Sequence, residues 1–202
     1  MKRSLFLIFI TLIFTAVLSA QNINNADFVS PMNEEMIAVK KGSQWGFVNA
    51  EGKMVVNFRD DLVVSKTIDG SFPIFYDGRC LITQKKEGIP YFGYIDTSGK
   101  TVIEPEYLNA TNFKDKRAIA LNVKRTVLST NALNKEVVNY GYHEVVINLN
   151  GDVLTYLAEE PVNITLTAEN LRKAPMINSK ALSSTLFAVM NAQKKWSVVK
   201  VD

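Results

Sequence analysis

One cysteine and one histidine in 202 residues leave several chemistries without their reagents. A lone Cys80 cannot close an internal disulfide, so an oxidising compartment does not staple this fold. Its setting, RCLI, is apolar, which marks it as a small core residue rather than a reactive thiol. A lone His143 removes Ser-His-Asp triads with a spare partner and any zinc site built from several histidines. No glycine-rich loop opens a helical pattern, so no phosphate cradle is present. An excess of one charge is also missing. The whole chain carries +3, and taking Lys2 and Arg3 away from its 23 basic residues leaves 21 against 20 acids. Such a balance supplies no field for nucleic acid or an anionic membrane surface.

The long apolar run that does exist lies at the start. MKRSLFLIFITLIFTAVLSA has two basic residues, a greasy core from Leu5 to Leu18 and a small-residue exit, the pattern of a secretory signal peptide. Cleavage is expected after Ala20, with Ser19 as the alternative. The run is short for a membrane span of about 20 residues. No cysteine stands at the exit to carry a lipid. The expectation is therefore an exported protein, secreted or periplasmic, with no stable membrane anchor after processing. Residues 21–202 are enough for a single real core.

What fills that core is told by QWGFVNAEGKMVV, Gln44 to Val56. Trp45, Phe47 and Asn49 alternate with Gly46 and Val48, so one face of an extended segment carries both aromatics. Asn49 opens a turn in which its side chain bonds the backbone two residues on, and Gly52 takes the position that needs positive φ. Lys53 to Val56 is then a returning strand. The pattern recurs in PYFGYIDTSGKTVIEP, with Gly93 and Gly99 each 47 residues after Gly46 and Gly52. A third copy, VVINLNGDVL, keeps Asn148 and Gly151 but has Val145 at the first glycine. A fourth start, KKWSVVKVD, has Ser197 there. A second block precedes each hairpin: Met32, Phe75 and Phe113 are each followed two residues later by an acid (Glu34, Asp77, Asp115) and then by a short strand, with Leu182 to Val189 as a faded fourth. The units run over about 32–66, 75–108, 113–156 and, in part, 182–202, a period typical of arrays.

These residues resemble the WG-repeat proteins of bacteria, in which an acid-led block precedes Trp-Gly-aromatic-Ile-Asp/Asn-x-x-Gly-Lys and an apolar strand. AVKKGSQWGFVNAEGK and FGYIDTSGKTVIEPEY carry the likeness best. The resemblance implies tandem β-hairpins and no shared chemistry. The fold expected is all-β: tandem antiparallel hairpin repeats in a single domain over 21–202, stacked as a solenoid or curled into a partial barrel. Three and a half units are too few for a closed propeller. A glycine beside an aromatic suits the close approach of another backbone, so Gly46 and Gly93 are expected to be close-approach positions.

Elsewhere, SKTIDGS (Ser65 to Ser71) reads as a loop, and the chain from Ala120 to Ile147 as two long strands around Asn131 to Lys135. Thr167 to Ala174 reads as one short helix, stopped by Pro175. Catalytic candidates are few. Glu104 and Glu106 share a face of a strand, unlike the adjacent pairs Glu34–Glu35, Asp60–Asp61 and Glu159–Glu160. Nothing in the sequence supplies the low-polarity setting that separates two carboxyl pKa values. The stripe of Trp45, Phe47, Tyr91, Tyr94 and Tyr107 reads as core before it reads as a sugar platform. No catalytic, cofactor or metal residue is assigned. The function expected is an exported, non-catalytic binding or scaffold module for an unidentified protein or an envelope or extracellular ligand. A secreted carboxylate-dependent hydrolase and an envelope assembly protein are the alternatives.

Overall fold

The computed structural model describes residues 23–191 and 193–201. The signal sequence expected at 1–20 lies outside them. The chain is all-β. The first sheet is a four-stranded antiparallel meander of β1 (Phe28–Val29), β2 (Met36–Lys41), β3 (Gln44–Asn49) and β4 (Met54–Arg59). A small hairpin follows, β5 (Ser65–Thr67) and β6 (Gly70–Phe72), where the sequence reads as a plain loop. Gly70 at φ 132° makes its reversal possible, and Phe72 drops into the core.

The second sheet contains β7 (Cys80–Lys86), β8 (Ile89–Ile95) and β9 (Thr101–Tyr107). Leu62 bridges to Ile82, so the 61–63 segment forms its first edge. The third has β10 (Ala118–Thr130), β11 (Glu136–Ile147) and β12 (Val153–Tyr156), with β13 (Val162–Ile164) added to β11 and an Ala110–Ala120 bridge at its first edge. The fourth is β14 (Lys180–Ala181), β15 (Leu186–Met190) and β16 (Trp196–Lys200). None closes into a barrel.

Side chains alternate across a strand, and here alternation assigns each residue to one of two neighbouring repeats. Cys80 and Ile82 face the first sheet and pack with Met36, Ala38, Trp45, Phe47 and Val56. Leu81, between them, faces the other way and packs with Tyr94, Ala118, Ala120, Val145 and Ile147. On the third sheet Ala118 and Ala120 look back to the second, whereas Ile119 and Val146 look on to Phe187 and Val201. The sheets are therefore stacked, and an interior sheet is buried on both faces. A slip of one residue would exchange the two interfaces, so burial fixes the register strongly. Cys80 is fully buried, and burial pushes its thiol up to about 12, as its apolar setting foretells.

The short helix expected near 167–174 does not form. Residues 167–173 are turns and bends, with a single helical bond from the Leu171 N–H to the Thr167 carbonyl at 3.0 Å. One turn fixes several dihedrals for one bond, and Pro175 leaves no room to add more. Leu171 instead plugs a cluster of Ile89, Leu108, Leu121 and Tyr142, which holds the turn in place.

Candidate binding surface

The hairpin turns share one grammar. Asn49 Oδ1 accepts from the N–H groups of Glu51 and Lys53, Asp96 Oδ1 from Ser98 and Lys100, and Asn148 Oδ1 from Asn150 and Asp152. Gly52, Gly99 and Gly151 follow at φ 76°, 85° and 87°. Asn131 does the same for Leu133 and Lys135 at the tip of the long hairpin. Gly99 and Gly151 also meet the preceding repeat. A Cβ on Gly99 would sit 3.3 Å from Val56, and one on Gly151 would sit 3.2 Å from Ile103. Arg59 and Tyr107 donate across to the carbonyls of Gly99 and Gly151, both at 3.0 Å.

The acid-led blocks are tight two-residue turns. Asn33 bridges Met36, Tyr76 bridges Arg79 and Lys114 bridges Arg117, with left-handed backbone at the two residues between each pair. Phe75 packs on Phe47 and Phe113 on Tyr94, both at a ring separation of 4.7 Å. The acids reach forward. Glu34 accepts from the N–H groups of Asp77 and Gly78 at 2.7 and 2.9 Å, and Asp77 accepts from the Lys116 N–H at 2.8 Å. Glu34, Asp77 and Asp115 thus line up along one groove, where two of them fasten the next repeat.

Gly46 and Gly93 are the close-approach positions that the sequence predicts. A Cβ on Gly46 would lie 2.8 Å from the Val56 carbonyl oxygen, and on Gly93 2.3 Å from that of Ile103. The cause is a bulge in the returning strand. Trp45 opposes Arg59 and Phe47 opposes Val56, two residues against three; Phe92 opposes Tyr107 and Tyr94 opposes Ile103, two against four. Pro105, which has no N–H to offer a ladder, sits in the larger bulge. A family model described as a WG containing repeat matches this region. The match covers residues 92–122. No curated protein and no solved structure matches the chain. The WG signature is a bulge device in this protein: the glycine makes room for backbone, and the residue after it, Phe47 or Tyr94, fills the interface to the next repeat.

The stacking uses most of the candidate residues. Trp45, Phe47, Tyr94 and Tyr107 are buried and Tyr91 is half-buried, so the aromatic stripe is core. His143 is buried, with Nδ1 3.3 Å from the Ala158 carbonyl and its ring against Tyr156. Its neighbour Glu144 turns to the other face and accepts from the N–H groups of Asn178 and Ser179. Among the described residues, no group of three or more His, Cys, Asp or Glu side chains could hold a metal.

Two features are left open. The first is a cleft of about 930 Å³ crossing the second sheet. Its floor is residues 82–85 of β7 with Pro90 and Phe92 of β8. Asp60, Asp61 and Val63 wall one edge, and Thr101, Glu104 and Pro105 wall the other. Glu104 belongs to it, but its strand partner Glu106 does not. The second is the β10–β11 hairpin, whose strands of 13 and 12 residues outrun the sheet. The β13 pairing on β11 ends at Tyr140, opposite Arg125, and farther out Val127, Leu128, Leu133 and Val137 are 45, 64, 78 and 42 % exposed. Its length was legible in the sequence, whereas the cleft was not: its residues come from three separate stretches with no motif among them.

Proposed function

We propose that this protein is an exported, non-catalytic binding or scaffold module whose repeats hold out the β10–β11 hairpin as an arm for a protein partner. The observation that carries the reading is the contrast within the third repeat. At its base the hairpin is fully packed, with Val145, Val146 and Ile147 at 0 % exposure, while its distal half carries four exposed apolar residues. Exposed apolar groups gathered on one projecting ribbon mark an interaction site better than scattered ones do. The free edge of β10 carries Lys124 and Arg125 and a bulge at Leu128, features that deter indiscriminate strand pairing and favour a specific contact. Export rests on the signal sequence alone.

The test replaces residues 126–139 by a two-residue Asn-Gly turn between the paired Arg125 and Tyr140, keeping the base of the hairpin. Crosslinked partners of the intact protein are then compared with those of the shortened one, from envelope and culture fluid. Partners should disappear with the arm while the thermal melt is unchanged. Partners that survive the deletion would refute the assignment.

The hydrolase alternative draws on one observation, the place of Glu104 on a cleft wall opposite Asp60. Activity on polysaccharide or ester substrates that is lost in Glu104→Gln would establish it over our reading.

A further inference from the structure

The cleft across the second sheet is separate from the arm and carries its own argument. Its walls are fastened. Arg59 holds Asp61 through Nε and Nη2 at 2.5 and 2.6 Å and reaches the Gly99 carbonyl with Nη1, which ties one wall to the hairpin turn beyond the other. Lys86 donates Nζ to the Pro105 carbonyl at 2.5 Å and secures the bulge. Thr83 donates to the Tyr91 carbonyl at 3.1 Å and pins the two floor strands together. Gly93 keeps the bulge close, because any side chain there would push β9 outward. The hollow is therefore formed before any ligand arrives, and its volume lies within the roughly 300 to 1,000 Å³ of small-molecule sites.

The groups facing it are unspent. Among the described residues, the carboxylates of Asp60 and Glu104, the amide of Gln84, the hydroxyl of Thr101 and the ammonium of Lys85 make no hydrogen bond. Half-exposed Phe92 and the rings of Pro90 and Pro105 supply apolar surface between them. Each ligand class can be weighed against this set. An anion would meet carboxylates on both walls. An apolar ligand would strand five polar groups. A metal ion lacks a third ligating side chain. A cationic peptide would satisfy the carboxylates but face Lys85. A hydroxyl both donates and accepts, so it alone serves carboxylate, amide and ammonium, and a pyranose ring adds an apolar C–H face to lie on an aromatic.

We propose that this cleft is a binding site for a short neutral oligosaccharide, with Asp60, Gln84 and Glu104 as hydrogen-bonding residues and Phe92 as the stacking surface. The role proposed is binding, not cleavage.

Maltotriose, cellotriose and triacetylchitotriose titrated into the purified protein, followed by calorimetry and by amide shifts in heteronuclear NMR, test it. At least one should bind and shift the amides of Gln84, Phe92 and Thr101. Gln84→Ala and Glu104→Gln should each weaken that Kd about 5- to 10-fold, the value of a hydrogen bond or two. Glu106→Gln, on the same strand but outside the cleft, should leave it unchanged. No binding by any of the three, binding indifferent to both cleft variants, or trilysine shifting the same amides while the sugars do not, would each overturn the proposal. The hairpin deletion should have no effect on this titration, so the two readings fail separately.

Discussion

The second and third repeats differ at one position that explains the motif. Gly93 in the second and Val145 in the third stand at corresponding places, two residues before Ile95 and Ile147, which precede the turn residues Asp96 and Asn148, and both are buried. Opposite Gly93 the returning strand bulges over the sheet, and a backbone oxygen occupies the space of a side chain. Opposite Val145 the ladder keeps its register from Tyr156 to Thr155 and shifts only after Val146, and the valine fills its own space at 0 % exposure. The glycine is thus not a general requirement of the hairpin. It belongs to the bulge, and where the strand lies flush a β-branched residue packs better. The loss of the aromatic-glycine pair at 145 is a change of strand geometry that the sequence registers as a faded repeat.

The comparison can be broken by exchanging the residues. Gly93→Ala should have the largest effect, about 3 kcal/mol of lost stability in a urea melt, at the top of the range for overpacking because the obstacle is backbone and not a flexible side chain. Gly46→Ala, with its nearest oxygen at 2.8 Å instead of 2.3 Å, should cost less. A neutral Gly93→Ala would disprove the bulge account. Val145→Gly should lose about 2 to 3 kcal/mol through the vacated space and the added backbone freedom. Any gain in stability there would mean that glycine is favoured at this position whatever the strand does.

Smaller changes sharpen the picture of how repeats are joined. Tyr107→Phe leaves the Gly151 carbonyl without its donor and should lower stability by about 1 kcal/mol in the same melt. Asp96→Asn should have the smallest effect and a pH signature. Burial raises the Asp96 pKa, but bonds from the Ser98 hydroxyl and the Lys100 and Ser98 N–H groups outweigh it, so the net shift is downward. A depressed folded-state pKa stabilises above the unfolded value and loses that contribution as the pH falls through the folded value. Asparagine keeps the turn geometry, as Asn49 and Asn148 demonstrate, but cannot titrate. The variant's melting temperature should therefore fall less steeply below about pH 4 than that of the parent.

Much of this was legible in the sequence because it is local. Asn or Asp followed by glycine three residues on specifies its turn by side-chain bonds within five residues, and alternation around Phe47 and Tyr94 specifies a strand. The acid-led block was visible as a pattern, but its meaning was not, since Glu34 acts on a turn more than forty residues away. The 167–174 segment misled for a related reason. Its threonine, its Glu169–Lys173 pair and Pro175 are real helix signals, yet Leu171 is claimed by a distant cluster after a single turn. The cleft was least legible, because it exists only when three separate stretches meet.

The forward reach of the acids gives the array a direction. Were the first repeat to melt, the amides at Asp77 and Gly78 would lose their acceptor; were the third to melt, the Asp77 carboxylate left behind would simply be hydrated. Fraying should then be easier from the carboxyl-terminal end, and a pull on the two ends should unzip the molecule in a fixed order, repeat by repeat.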